Sequence, residues 1–279
     1  MALQWDGSAW LAPVAVDGMA TPFLVDTGAE RSMLFADAVK RLNVPRDEWA
    51  ATATRGVGGI VELPNADPRS LTLGGIPLRR RTVAADNTLT VGIAGPGPAD
   101  GLLGQDLLSP FDLDFDGVHD TLGLYAAASC LDPAALPWTG PRAAIPVERV
   151  FRNVLLIPVT VDGYVLQALI DSGAGTSLVT ITGMAKLGLT DASLAADPSR
   201  EARGIGPRAV TIRLHRFGRV AVGPQIFTDQ PLWVGPARLA PSIDMLLGAD
   251  WLRGRRVWFS FAANTVVVSL DPAARNFGP

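Results

Sequence analysis

Apolar residues along this chain come in short stretches, alternating with polar ones or rich in β-branched side chains, and Gly, Pro or Asp bounds most stretches. Pro13 to Val16, Arg219 to Val222, Val257 to Phe261 and Thr265 to Leu270 show the pattern, which predicts short strands. Asp17-Gly18 and Asp162-Gly163 lie between such stretches and predict tight hairpin turns. Helical spacing is scarce. Ser32 to Leu42 fits a helix with Ser32 able to cap it, and Thr180 to Leu187 fits a second. Gln105 to Leu108 and Ala249 to Leu252 each predict about one helical turn after a Leu-Leu-Gly. The fold class is therefore all-β with short helices.

The pattern is written twice. Pro13-Val14-Ala15-Val16-Asp17-Gly18 returns as Pro158-Val159-Thr160-Val161-Asp162-Gly163, 145 residues later. Nine residues after Asp17 stands Asp26, and nine after Asp162 stands Asp171. Arg55-Gly56-Val57-Gly58 matches Arg203-Gly204-Ile205-Gly206, and Leu73-Gly74-Gly75-Ile76 roughly matches Val222-Gly223-Pro224-Gln225-Ile226. Leu102-Leu103-Gly104-Gln105-Asp106 matches Leu246-Leu247-Gly248-Ala249-Asp250, and Leu113-Asp114-Phe115 matches Phe259-Ser260-Phe261. Landmarks in one order with small shifts mark a tandem duplication. Two units of this length suit two facing lobes rather than a solenoid. The expected division is an N-terminal lobe over 1–126, an Ala/Pro-rich linker over 127–150 and a C-terminal lobe over 151–279.

Composition narrows the function classes. The 279 residues carry a net charge of −3, which argues against nucleic acid or an anionic membrane as partner. Of the 24 basic residues only Lys40 and Lys186 are lysines, a bias of coding rather than of chemistry. Cys130 is the single cysteine, so neither an internal disulfide nor a cysteine metal cluster is available. No apolar run is long enough to span a bilayer. The chain does not open on a basic stretch followed by an apolar run, so a soluble protein is expected, in the cytoplasm rather than the periplasm.

Candidate chemistry sits at the repeated aspartates. Val25-Asp26-Thr27-Gly28-Ala29 and Ile170-Asp171-Ser172-Gly173-Ala174 occupy equivalent points, each after an apolar pair. One Asp-Ser/Thr-Gly alone reads as an ordinary turn. An aspartate directly after a buried strand is a costly place for a charge, and having it in both halves points to two carboxylates meeting at a pseudo-two-fold axis.

On these motifs the chain resembles the pepsin and retropepsin superfamily of aspartic proteases, most closely the bacterial single-chain retropepsin-like members. The resemblance covers nearly the whole chain, twice. It implies a bilobal acid-protease fold, two β-barrel-like lobes with a cleft between them, and an aspartic endopeptidase acting on a peptide or protein, as a monomer, with no cofactor and no metal. Asp26 and Asp171 match the catalytic pair, and Thr27, Gly28, Ser172 and Gly173 match the residues that support it. The family's hydroxyls at Thr27 and Ser172 lock the two loops together. Gly56, Gly58, Gly204 and Gly206 fall in two flaps, and Ala29, Glu30, Ala174 and Gly175 fall where substrate is bound. Two touching carboxyls share one proton, so one activates a water while the other protonates the scissile carbonyl. Neither flap has the Tyr of pepsin-like enzymes, and Gly175 cannot repeat the substrate contact expected of Glu30, so an asymmetric cleft is expected. A non-proteolytic enzyme using the same carboxylates on a small molecule, or a peptide-binding module, are the alternatives.

Other features read more plainly. His119 and His215 lack the setting of a triad or a zinc site. Cys130 reads as an incidental or small buried residue, and Arg79-Arg80-Arg81 as a solvated strand end or turn. Gly56-Val57-Gly58-Gly59 is followed by Pro64 rather than a helix, which argues against a phosphate loop. Most of the seven Trp are expected in the core or at the lobe interface, and Trp49 is a candidate for lining the cleft.

Overall fold

The computed structural model describes residues 1–79, 82–86, 99–127, 132–151, 153–206, 208–270 and 277–278, with Glu48 and Asp86 as backbone only. Arg80, Arg81 and Cys130 lie outside the described residues.

Each half begins with the hairpin its sequence predicts. Trp10–Val16 pairs with Met19–Val25, and Val154–Val161 pairs with Tyr164–Ile170. The turns are Asp17-Gly18 (φ 51° and 83°) and Asp162-Gly163 (φ 46° and 90°). Both turn residues need positive φ, which Gly adopts freely and Asp tolerates, so the turn matches the strand twist. The inward residues Val14, Val16, Val159 and Val161 are fully buried.

The second strand of each hairpin ends at an aspartate and gains a parallel neighbour from the Leu-Leu-Gly segment. Gly101–Leu103 lies beside Phe23 to Val25, and Met245–Leu247 beside Ala168 to Ile170. These strands sit inside a ten-stranded sheet in the first half and an eight-stranded sheet in the second. The one-turn helices Gln105–Leu108 and Ala249–Leu252 follow as predicted.

A third sheet joins the halves. Its five strands run in the order Thr121–Ala126, Phe111–Asp116, Arg256–Ser260, Thr265–Ser269 and Arg142–Pro146. Phe111–Asp116 and Arg256–Ser260 are the copies of one another and pair antiparallel, Leu113 facing Phe259 and Phe115 facing Val257. The predicted strands Val257 to Phe261 and Thr265 to Leu270 are both in this sheet. Trp138, Trp258 and Val267 form a small cluster against it with Leu136. Five of the seven Trp are buried, as expected of core and interface residues.

One predicted helix is corrected. Residues 33–35 form a strand, Met33–Phe35, and the helix spans only Ala36–Arg41 with Phe35 as its uncapped N-terminus. Met33 and Leu34 are buried by pairing with Leu102 and Gly101 on one side and with Ala84 and Ala85 on the other. Sheet pairing outweighs helix propensity there, and the Ser32 hydroxyl is used on Asp106 instead. The second predicted helix stands as read. It spans Ile181–Leu187, Thr180 accepts from the Gly183 N–H at 3.5 Å, and Gly188 at φ 68° ends it.

The joining sheet carries an ion pair between a buried carboxylate and a partly exposed guanidinium. Arg256 donates to both oxygens of Asp114, Nε to Oδ1 at 2.8 Å and Nη2 to Oδ2 at 2.5 Å, and Trp138 Nε1 donates to Oδ1 at 3.1 Å. Asp114 is only 4% exposed. Removing the guanidinium would leave its carboxylate buried without its cation. Arg256→Ala should therefore destabilise the fold by about 3 kcal/mol, read as a lower midpoint in thermal or urea unfolding at neutral pH.

Candidate active site

Asp26 and Asp171 each stand one residue past the end of a buried strand, and each is anchored by its own backbone. The Asp26 N–H donates to Leu103 O at 3.0 Å, and that of Asp171 to Leu247 O at 2.8 Å. Their side chains then fold back on the loop that follows. Asp26 Oδ1 accepts from the N–H groups of Gly28 (2.9 Å) and Ala29 (2.8 Å). Asp171 Oδ1 accepts from Gly173 and Ala174, both at 3.0 Å. Across the halves the two carboxyls are close enough to interact directly with one another.

The glycines explain how they come so close. A Cβ on Gly28 would lie 2.4 Å from Asp171 Cγ, and a Cβ on Gly173 would lie 2.4 Å from Asp26 Cγ. Each glycine clears space for the aspartate of the other half, which no larger residue could do.

Between the two loops runs a reciprocal set of hydrogen bonds. Thr27 Oγ1 accepts from the Ser172 N–H (3.0 Å) and donates to Ile170 O (2.7 Å). Ser172 Oγ accepts from the Thr27 N–H (3.0 Å) and donates to Val25 O (2.7 Å). Both residues are buried, so each hydroxyl satisfies backbone groups of the opposite half that no water reaches.

Burial raises the pKa of Asp26 well above the usual carboxylate range, and the neighbouring Asp171 charge and hydrogen bond raise it further. Burial also raises Asp171, while its hydrogen bonds with Asp26 and the backbone oppose the shift. The two are coupled, so they titrate as a unit rather than one by one.

A third layer supports the loops, made of residues outside the Asp-Ser/Thr-Gly motifs. Asp106 accepts from the Ser32 N–H (2.8 Å) and Oγ (2.6 Å), and Ser32 Oγ in turn accepts from the Gly104 N–H (2.9 Å). Asp250 and Ser177 repeat the clamp, with Ser177 Oγ donating at 2.7 Å and accepting from the Gly248 N–H at 3.0 Å. Burial raises the pKa of Asp250 and lowers that of Arg255 nearby to about 10. In addition Gln105 Nε2 donates to Thr27 O at 2.6 Å. The signal was present in the chain: an aspartate two residues past each Leu-Leu-Gly, and a serine six past each dyad aspartate.

Above the dyad two flaps close. The first is a long hairpin of Arg46–Gly56 and Gly59–Ala66. The second pairs Ser199–Ala202 with the start of Val210–Val222. Their tips touch, the Gly58 N–H donating to Ile205 O at 2.8 Å. A Cβ on Gly58 would lie 2.6 Å from Gly206 O, and one on Gly56 2.4 Å from Ile205 Cβ, while Gly204 faces Val57. All four flap glycines therefore sit at the meeting point.

Under the flaps lies a cavity of about 890 Å³, lined by both aspartates and by Gly28, Ala29, Glu30, Gly173, Ala174 and Gly175 among others. Leu24, Leu102 and Ile60 form an apolar wall from the first half, and Leu169, Ile212, Ile243 and Leu246 one from the second. Gly175 lies against Ser8, so an N-terminal loop occupies the second half where Glu30 projects in the first. Trp49 is not in the cleft: it is 99% exposed, in an irregular stretch where the pairing register shifts between Asp47 and Ala51. His119 and His215 bond to Asp116 and Asp197, away from the cavity lining. Among the described residues no group of His, Cys, Asp and Glu could hold a metal ion.

Two copies of one lobe, each ending a strand in an Asp-Ser/Thr-Gly loop, define a bilobal all-β acid-protease fold. The aspartyl protease family profile matches residues 12–107 and again 157–251, the two copies of the repeat, and the chain belongs to that retropepsin-like family. No curated protein sequence matches it.

Two expectations follow from this geometry. Ser172→Ala removes two cross-half hydrogen bonds and strands two buried backbone groups, which should cost about 2–4 kcal/mol, measured by urea unfolding; Ser172→Thr should recover much of it. The dyad itself should oppose folding. A carboxyl whose folded pKa is raised costs nothing below its unfolded pKa of about 3.9 and costs progressively more as pH rises toward the folded value. Asp26→Asn should thus melt at a higher temperature than the parent at neutral pH, with the difference shrinking toward about pH 3.

Proposed function

We propose that this protein is an aspartic endopeptidase in which Asp26 and Asp171 activate a water between them. The observation that carries the reading is the pairing of two backbone-anchored carboxyls, Asp26 buried and Asp171 partly buried, on the floor of a flap-covered cleft. The ionised carboxyl takes a proton from water, and the resulting oxygen attacks the scissile carbonyl carbon. The protonated carboxyl gives its proton to the carbonyl oxygen, which forms a neutral tetrahedral intermediate. Collapse of that intermediate needs a proton on the leaving nitrogen, which the dyad, having taken one from water, supplies; as the C–N bond breaks, one hydroxyl of the intermediate returns its proton to the other carboxylate, so the acid and amine leave and the singly protonated pair is restored. No covalent enzyme intermediate arises, and no metal or cofactor is called upon.

The remaining parts have roles in this scheme. Thr27 and Ser172 hold the loops in register, and Gly28 and Gly173 permit the approach. Ala29 and Ala174 supply backbone N–H groups to the carboxylates. The flap residues Gly56, Gly58, Gly204 and Gly206 close over an extended peptide and exclude water. Glu30 reaches the peptide from the first half, while Gly175 leaves that role empty in the second. The apolar walls suit apolar side chains beside the scissile bond. Both halves of the site belong to one chain, lobe 1–126 and lobe 151–279 across the linker 127–150, so a monomer suffices.

The test is digestion of a peptide library read by mass spectrometry. Asp26→Asn and Asp171→Asn should each lower the cleavage rate by about 10²–10⁴-fold or more, while chelators leave it unchanged. A chelator-sensitive activity, or a fully active Asp171→Asn enzyme, would overturn the mechanism. Activity should also survive dilution far below micromolar.

The pH profile offers a second check. Hydroxyls that would hydrogen-bond the ionised dyad are absent at Ala29 and Ala174, and burial raises both carboxyls, so the active singly protonated state should extend to mild pH. The profile of kcat/KM should be bell-shaped with its optimum at about pH 4.5–6.5. Ala29→Ser with Ala174→Ser should move the acidic limb downward; an unmoved limb in a folded variant would show that these positions do not reach the dyad.

A further inference from the structure

The two halves of the cleft differ most in how their arginines are held. Arg31, Arg55, Arg200 and Arg203 line it, against Glu30 and Glu201 beside the dyad, in a chain whose overall charge is −3. Of the four, Arg203 lies 3.6 Å from Glu201. Arg200 is different. Its guanidinium lies over the Trp233 ring, 4.2 Å from the centroid, and Nη2 donates to Thr176 Oγ1 at 3.1 Å. Trp233 is buried, and Thr176 belongs to the loop that follows Asp171. The second flap is thereby tied to that loop through an arginine. Among the described residues no carboxylate pairs with it.

The first half lacks this arrangement. The positions corresponding to Arg200 and Thr176 are Thr52 and Arg31, so the arginine has changed sides of the pair. Thr52 spends its hydroxyl on Asn65 at 2.6 Å.

An exposed arginine normally gives up side-chain entropy when it binds an anion. Stacking on one face and a bond to a neutral hydroxyl remove much of that cost in advance, and they leave the charge and most of the five N–H donors unused. A flat cation so placed matches a carboxylate. We infer that Arg200, held by Trp233 and Thr176, is a subsite for a carboxylate of the bound peptide at the outer part of the second half of the cleft. That carboxylate is an acidic side chain or the peptide's own C-terminus. The inference rests on reading the cavity as a peptide cleft. It makes the preferred substrate apolar at the scissile bond and acidic to one side of it, with Arg200 as a specificity-determining residue.

The experiment uses decapeptides with a central apolar pair, with Glu, Gln or Lys stepped through the flanking positions, each as C-terminal acid and amide. At one position the Glu peptide should exceed its Gln twin in kcat/KM by about tenfold, less so in high salt. A preference that instead follows acid over amide assigns the subsite to the C-terminus. In Arg200→Gln the Glu/Gln (or acid/amide) ratio should fall to near one, whatever the absolute rates, and Arg200→Glu should turn the preference toward Lys. Equal rates for all peptides, or a preference that survives in folded Arg200→Gln, would overturn the inference. If no peptide is cut, proteolysis fails as a reading, and the same peptides are passed over immobilised Asp26→Asn protein. Stronger retention of the carboxylate peptides, lost in Asp26→Asn/Arg200→Gln, would still support the subsite; equal or no retention would overturn it.

Discussion

Two carboxyl groups buried in contact are among the least favourable arrangements a fold can hold. Charge on either is penalised by burial, and Asp26 is penalised again by its neighbour. Much of the surrounding architecture answers that cost. Each aspartate receives two N–H bonds from its own loop, each loop is gripped by a hydroxyl of the other half, and each is clamped beneath by a Ser–Asp pair. None of these bonds alone is strong. Together they leave almost no polar group of the loops free to relax away from the contact.

Duplication solves the geometry economically, because one loop solution, used twice about an axis, brings the two aspartates face to face. It also explains why the joining sheet pairs equivalent strands, Phe111–Asp116 with Arg256–Ser260. The copies have since diverged where symmetry is not needed. The floor of the cleft keeps Asp, Ser/Thr, Gly and Ala in both halves, while Glu30 faces Gly175 and Thr52 faces Arg200 across the repeat. A substrate chain has a direction, so an asymmetric lining suits it better than a symmetric one.

The chain by itself determined the repeat, the hairpin turns at Asp17-Gly18 and Asp162-Gly163, the one-turn helices after each Leu-Leu-Gly, and the equivalence of the Asp26 and Asp171 loops. Each of these rests on chemistry local to a few residues or on a pattern that recurs. Turn residues report their own backbone conformation, and a motif found twice at one spacing reports a common environment.

What only the tertiary structure decided depends on partners distant in the chain. Residues 33–35 have the apolar spacing of a helix, yet they are a strand because Leu102 and Ala84 lie ready to pair with Met33. Trp49 sits next to the flap in sequence but is turned outward by a register shift against the Asp47–Ala51 stretch. Ser32 looked like a helix cap, and its hydroxyl instead meets Asp106, 74 residues away. Arg200 gains its meaning from Trp233 and Thr176. Periodicity and turn chemistry describe which face a residue turns and how its backbone bends; which side chain waits on the far side of that face is settled only when distant segments of each lobe pack together.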